Sequence, residues 1–199
     1  MSRVVDRGAI FAAGVGVGMA ATLAISFLLV IPIEPIYWAL ALPAGMLIGY
    51  YANQRSDRRS GPWLRIGANA LFAGAVTGLT LALLLLAVKA LFFFGDDGYR
   101  DPSAGGRVTV DRDDGRPVAC RPGADCVFRR YLADGRGPDL AAAGATDPDS
   151  FSAFYWNQQL TTARLVLGLG LSGGAGGGLL YGIFRPKLAT AQRPGYSTG

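Results

Sequence analysis

Four long stretches of apolar residues dominate the chain and set its expected fold. They cover about residues 8–31, 36–52, 66–94 and 160–184, and charged side chains are almost absent from them. A helix needs about 20 consecutive apolar residues to cross the hydrocarbon core of a bilayer. Because lipid offers no hydrogen-bond partners, the backbone of such a stretch satisfies itself as a helix. The pattern therefore predicts an all-α membrane protein, a bundle of four transmembrane helices.

The segment between the third and fourth stretches, residues 95–159, has a different character. It is rich in Asp, Arg, Gly and Pro and has no long apolar run. Short runs at 107–110, 117–120 and 126–132, separated by turn residues, predict a small extracytoplasmic β-hairpin or three-stranded meander. Residues 133–150 are rich in Gly, Ala, Pro and Asp and are predicted to be flexible.

Basic residues give the predicted orientation. Arg and Lys cluster in residues 1–7, in the connection 53–65 and in the tail 185–199, which share one side of a four-span bundle. The short connection between the first two stretches has none. The positive-inside rule then places both termini and loop 53–65 in the cytoplasm and residues 95–159 outside it. The tail is predicted to be disordered.

The net charge of +5 follows from this orientation, since the excess of cations lies in the flanking segments. We find no basic patch of the kind that a nucleic-acid-binding domain presents. The preference for Arg over Lys, with abundant Ala and Gly, suits a GC-rich bacterium. The expected location is the plasma membrane of such a cell.

Glycines four residues apart recur in every apolar stretch. Glycine costs a helix in water about 1 kcal/mol relative to alanine, but in a membrane helix it leaves a strip of bare backbone that a neighbour can approach. In the last stretch, Gly173 and Gly177 widen this strip beyond what one neighbouring helix covers. These faces either pack the four helices together or bind another subunit. The predicted packing positions are Gly14, Gly18, Gly45, Gly49, Gly74, Gly78, Gly170, Gly174, Gly178 and Gly182.

Cys120 and Cys126 are the only two cysteines, and they bracket a Pro-Gly turn. Outside the cytoplasm such a pair is most simply a disulfide that closes the loop. The alternatives are a redox-active pair or a metal site. A catalytic dithiol usually has the Cys-x-x-Cys spacing, and two thiolates do not complete a structural zinc site.

Three charged side chains are predicted near the outer interface: Glu34, Lys89 and Arg164. One interpretation is a gate or a binding site for an anionic group. The other is that the cations snorkel to the interface and that Glu34 pairs with one of them.

Two short motif matches have simpler explanations. Residues 168–173 match Gly-x-Gly-x-x-Gly, but they lie within an apolar stretch where no pyrophosphate would be solvated. Residues 111–115 resemble the start of a calcium loop and lack its remaining ligands. No cofactor and no metal are predicted.

The chain contains no His, which is the commonest general base and metal ligand. No acidic residue lies at mid-membrane depth, where ion-coupled transporters usually carry one. We therefore expect no enzymatic activity, no small-molecule substrate and no nucleic-acid partner. The expected function is that of an accessory, assembly or scaffold subunit, which contacts the bilayer and a membrane-protein partner or a second copy. The alternative is a small transporter or channel subunit, a homo-oligomer whose glycine faces line or close a pore.

Overall fold

A computed structural model of the protein describes residues 5–29, 34–56, 61–95, 100–101, 106–107, 120 and 122–184. Apart from two strands of two residues, the regular structure in these ranges is helical. The strands, β1 (Arg100–Asp101) and β2 (Gly106–Arg107), pair antiparallel. The helices are α1 (Arg7–Leu29), α2 (Glu34–Gln54), α3 (Trp63–Gly95), α4 (Ala124–Ala133), α5 (Gly137–Ala142) and α6 (Pro148–Phe184).

Within the described residues, three helices are long and apolar enough to cross a membrane: α1 over Arg7–Ile25, α3 and α6. With 33 and 37 residues, α3 and α6 extend for roughly 50 and 55 Å at a rise of about 1.5 Å per residue. Both exceed the hydrocarbon core, which is about 30 Å thick. The helical class is thus confirmed, and the helix lengths support a membrane protein. The fourth span, on α2, stays a prediction.

The predicted third strand is wrong, because residues 126–132 belong to α4. Val127 is buried in a core rich in aromatic rings, and Ala124, Phe128 and Tyr131 pack partly buried against that core. This spacing follows a helical face rather than the alternation of a strand. Of the other two predicted strands, only the end residues 107 and 120 lie within the described part of the chain. The expected meander is therefore not shown.

Residues 133–150, predicted to be flexible, instead contain α5 and two well-defined helix ends. Gly135 and Gly144 follow α4 and α5 with φ of +77° and +74°, the left-handed conformation that glycine adopts without strain. After α4, the N–H of Arg136 donates to the Tyr131 carbonyl at 3.0 Å. After α5, the N–H of Ala145 donates to the Leu140 carbonyl at 2.9 Å. Both helices thus end in Schellman motifs.

Helix α6 begins well before residue 160, at a reciprocal cap formed by Asp147 and Ser150. The Asp147 carboxylate accepts hydrogen bonds from the backbone N–H groups of Asp149 and Ser150, both at 3.0 Å. Ser150 Oγ in turn accepts from the backbone N–H of Asp147 at 3.2 Å. Pro148 occupies the first helical position, where no N–H is needed. The hydrogen bonds from Ser150, its backbone N–H first, lower the pKa of Asp147.

The chain divides into two compact units. The first, called the bundle unit here, comprises Met1–Leu23, Pro32–Leu81 and Val166–Gly199. The second, the loop unit, comprises Ala24–Ile31 and Ala82–Leu165. Helices α1, α3 and α6 contribute residues to both.

The two units have cores of different kinds. One cluster in the bundle unit consists mainly of small side chains, Ala9, Ala12, Ala52 and Ala73, around Ile48. Small residues let helix backbones approach closely. The core of the loop unit consists of larger side chains, and many of them are aromatic. It contains Phe93, Val127, Leu140, Ala145, Phe151 and Tyr155.

Candidate functional site

Glycines of α3 and α6 meet in the bundle unit with their backbones in contact. A β carbon on Gly170 would lie 2.6 Å from the α carbon of Gly78. A β carbon on Gly174 would lie 2.7 Å from the carbonyl oxygen of Ala70. Carbon atoms that are not bonded pack at about 3.5–4.0 Å. Any side chain at these positions would therefore push the two helices apart.

Glycines of α2 approach the same part of α6. A β carbon on Gly45 would lie 2.5 Å from the carbonyl oxygen of Gly170, and one on Gly49 would lie 2.8 Å from the α carbon of Gly174. Gly170 and Gly174 thus contact two helices of the same chain.

Gly173, Gly177 and Gly178 of α6 are also covered by neighbouring helices. A β carbon on Gly177 would lie 2.7 Å from the backbone nitrogen of Tyr50, and Gly173 likewise faces the backbone of α2. A β carbon on Gly178 would lie 2.6 Å from that of Ala70. Gly168, which is not one of the predicted packing positions, has open space beside it. In the described residues, α2 and α3 together cover the wide glycine face of α6.

Gly182, the last predicted packing position on α6, has a different neighbour. The indole ring of Trp63 lies where a side chain on Gly182 would stand. Trp63 itself is half exposed at the start of α3. An aromatic ring at a helix end is typical of a membrane interface. The ring of Trp63 fits here because Gly182 has no side chain.

Helix α1 packs through a different glycine from those predicted. A side chain on Gly16 would collide with Thr77 of α3 and would contact Ile48 of α2. A β carbon on Gly14 or on Gly18 would have no atom of the described residues within 4 Å. The predicted pair Gly14 and Gly18 therefore faces outward in the described part of the chain, and Gly16 between them faces inward.

A polar cluster joins the start of α1 to α3 and to the residues that follow α2. Asp6 Oδ2 accepts hydrogen bonds from Ser56 Oγ and from Asn69 Nδ2, the latter at 2.9 Å. Its Oδ1 accepts from the backbone N–H of Ala9 at 3.1 Å, which caps α1. Nearby, the buried Asn53 donates to the carbonyl oxygen of Ile66 at 3.1 Å.

Part of this cluster could be anticipated from the sequence and part could not. Asp6 directly precedes an apolar run, which is the pattern of an N-cap residue. Its partners Ser56 and Asn69 lie 50 and 63 residues away, and no local pattern indicates that pairing.

The disulfide between Cys120 and Cys126 is present in the loop unit, as predicted. It closes the turn that leads into α4, where Gly123 adopts a φ of +103°. Cys126 is a buried residue of α4. The bond thus ties the segment before α4 to the core of the loop unit.

Aromatic rings hold this core together. The ring of Phe93, near the end of α3, lies 4.8 Å from that of Tyr155 and 5.2 Å from that of Trp156, centroid to centroid. The ring of Phe151 lies 5.1 Å from that of Tyr131 on α4. Aromatic pairs at these distances add about 0.5–1.5 kcal/mol each beyond their buried area. The first turns of α6 are therefore part of a folded unit.

The structure places the three charged residues predicted at the outer interface as follows. Lys89 is half-buried on α3, and Arg164 is exposed on α6. Glu34 begins α2, and its side chain lies outside the described residues. The grouping of these three charges stays a prediction.

Within the described residues, no group of three or more His, Cys, Asp or Glu side chains could hold a metal ion. Residues 111–115, with the calcium-like turn, lie outside them. Gln159 on α6 is buried, and its Oε1 has no hydrogen-bond partner among the described residues. Nothing in the structure explains this unpaired acceptor.

The chain matches no protein-family model, no curated protein and no solved structure. Its function is therefore inferred from its own residues.

Proposed function

We propose that the protein is a multi-pass protein of a bacterial plasma membrane that works, without catalysis of its own, as an accessory, assembly or scaffold subunit. In this proposal α1, α2, α3 and α6 are the four spans, with both termini in the cytoplasm. The loop unit carries the surface that contacts a partner membrane protein or a second copy.

The loop unit is the observation that carries this proposal. Its aromatic core, the Cys120–Cys126 disulfide and two Schellman helix ends make it a folded domain instead of a flexible connection. Such a domain presents an ordered surface. On α4 that surface includes Arg129 and Leu132, the latter 44% exposed.

The disulfide also supports the proposed orientation. Disulfides persist outside the cytoplasm, where thiols are not kept reduced. The same side follows from the basic residues that flank the apolar stretches.

The packing of the glycines favours this role over the alternative of a pore. Gly170 and Gly174, which would line or close a channel, contact α2 and α3 of their own chain. A transporter or channel would need a different lining, and flux of ions or small solutes through reconstituted protein would favour that alternative.

The test is site-specific photocrosslinking in the native membrane followed by affinity purification. A photoreactive residue at position 132 should yield a discrete crosslinked species, and Arg129→Gln should weaken it. The melting temperature should fall little, because the exposed ion pair of Arg129 with Asp125 contributes at most about 0.5 kcal/mol. A photoreactive residue at Leu179, on the exposed side of α6, is the matched control and should crosslink mainly lipid. Equal protein crosslinking from both positions, or none from position 132, would contradict the proposal.

A further inference from the structure

Arg55, directly after α2, is held against two aromatic rings of the bundle unit. Its guanidinium carbon lies 5.2 Å from the ring centre of Phe11 and 5.9 Å from that of Tyr51, within the range of a cation–π contact. Its Nε donates a hydrogen bond to Tyr51 Oη at 3.1 Å. The side chain is exposed, and the planar fork of a guanidinium suits a phosphate.

Phe11 also begins an exposed apolar face of α1, called the α1 strip here and formed by Phe11, Gly14, Val15 and Gly18. Phe11 and Val15 are 54% and 42% exposed, and the spaces beside Gly14 and Gly18 are open in the described part of the chain. These positions fall within an arc of about 100° and along about 10 Å of helix. That length fits within one leaflet, which is about 15 Å of a 30 Å core.

The charge at this end of the strip is positive. Arg7, one helical turn before Phe11, is exposed like Arg55. Among the described residues, the carboxylate of Asp6 also lies near this end of α1. Its oxygens accept hydrogen bonds from Ser56, Asn69 and the backbone of Ala9. None of the described contacts of Arg55 is with a carboxylate.

We infer that Arg55 and the α1 strip bind an anionic phospholipid of the adjacent leaflet. The guanidinium of Arg55 binds the phosphate, Arg7 adds positive charge beside it, and one acyl chain lies along the strip. The inference needs the membrane location of the proposed function but not its partner.

Charge also argues against a second copy in this place. Copies in one membrane share one orientation, so a symmetric contact through the α1 strip would bring Arg7 and Arg55 of both copies to the same end. Like charges at such an interface oppose association, whereas an anionic headgroup neutralises them. The α1 strip with its basic end is therefore better suited to bind an anionic lipid than the same strip of a second copy.

The experiment measures lipid retention by full-length protein in mild detergent, with native mass spectrometry and titrations of phosphatidylglycerol, phosphatidylcholine and inorganic phosphate. Wild-type protein should retain phosphatidylglycerol preferentially. Arg55→Gln should weaken that retention about fivefold, because a basic residue near an anionic surface contributes about that factor. Arg55→Lys should fall between the two, since it keeps the charge and loses the fork.

Two control variants separate this site from general effects. Arg129→Gln removes the same charge from the loop unit and should leave retention unchanged. Gly18→Leu fills the strip and should weaken retention of both lipids, whereas Gly168→Leu adds the same volume at another open glycine and should not. Leu132→Asp, which addresses the proposed partner surface, should also leave lipid retention unchanged.

Three results would overturn the inference. The first is equal retention by Arg55→Gln and Arg129→Gln. The second is displacement of phosphatidylglycerol by inorganic phosphate at equal concentration, which would show a site for a free anion. The third is a dimer that Gly18→Leu dissociates while lipid retention stays constant, which would assign the strip to a second copy.

Discussion

Gly74 and Gly174 face each other across α3 and α6 with no room for a side chain on either. A β carbon on Gly174 would lie 2.9 Å from the α carbon of Gly74, and one on Gly74 would lie 2.8 Å from the α carbon of Gly174. The contact is therefore reciprocal and made by backbone atoms, which cannot rotate away as a side chain can. Van der Waals contact at such short range is a principal source of helix association in lipid.

Replacement of Gly174 by alanine should destabilise the bundle unit. One methyl group must displace backbone atoms of α3, and overpacking of this kind costs about 1–3 kcal/mol. Thermal unfolding in detergent, monitored by circular dichroism, measures the effect.

Gly168→Ala is the matched control, because it lies on the same helix with open space beside it. We expect its melting temperature to equal or exceed that of the wild type, since alanine favours a helix more than glycine does. Equal destabilisation by both variants would mean that helix propensity, and not the contact with Gly74, governs the site.

Asp6→Ala should loosen the start of α1. The variant leaves Nδ2 of Asn69 without its acceptor, and Asn69 is 1% exposed. An unpaired buried donor costs about 1–3 kcal/mol. The measurement is a double-mutant cycle of Asp6→Ala and Asn69→Ala from melting curves. Additive effects would show that the two side chains do not stabilise each other.

Loss of the disulfide should destabilise the start of α4. The bond joins cysteines six residues apart, and closing so short a loop restricts the unfolded chain by about 2 kcal/mol. In the double variant Cys120→Ser and Cys126→Ser, hydrogen exchange should speed up in residues 124–133. Residues 170–178 provide the internal reference. Unchanged exchange in α4 would show that the aromatic core alone holds the helix.

The cap of α6 should lose strength in acid. Hydrogen bonds lower the pKa of the exposed Asp147 carboxyl below its ordinary value of 3.8 when the protein is folded. Its stabilising contribution is therefore present above about pH 4 and is lost as the pH falls through the lowered pKa. Hydrogen exchange of the first turn of α6, measured from about pH 6 down to about pH 2, follows this loss.

Asp147→Asn and Asp147→Ala separate charge from capping. Asparagine still caps a helix, so Asp147→Asn should keep the first turn of α6 protected. Because the amide does not titrate, the contribution of the Asp147 carboxyl to the pH dependence of that protection should disappear. Asp147→Ala should expose the turn at every pH. A wild-type turn whose protection is constant down to about pH 2 would count against the role of the carboxylate.

Much of the helical architecture follows from residues that are close in sequence. The apolar stretches around α1, α3 and α6 are long enough to span a membrane, and the cysteine pair around a Pro-Gly turn indicated the disulfide. The end of α4 at Gly135 and the start of α6 at Asp147 also depend on local signals, glycine after a helix and Asp-Pro before one. These signals lie within residues 133–150, whose composition alone suggested flexibility.

Other features depend on contacts between distant residues. The run 126–132 suits a strand or a helix, and the packing of Val127, Phe128 and Tyr131 against the aromatic core decides for the helix. The spacing of Gly14, Gly16 and Gly18 does not say which of them faces inward. The rotation of α1 about its axis settles that question, because Thr77 and Ile48 fill the space beside Gly16.

The sequence by itself determined that the chain forms long apolar helices and which helices carry bare backbone, because length, composition and spacing are local quantities. It also favoured a disulfide between the two cysteines. Only the tertiary structure decided which glycines meet, as Gly74 and Gly174 do, and that Phe11 lies beneath Arg55. Such contacts join residues tens of positions apart, and close packing of whole helices selects among the faces that the spacing allows.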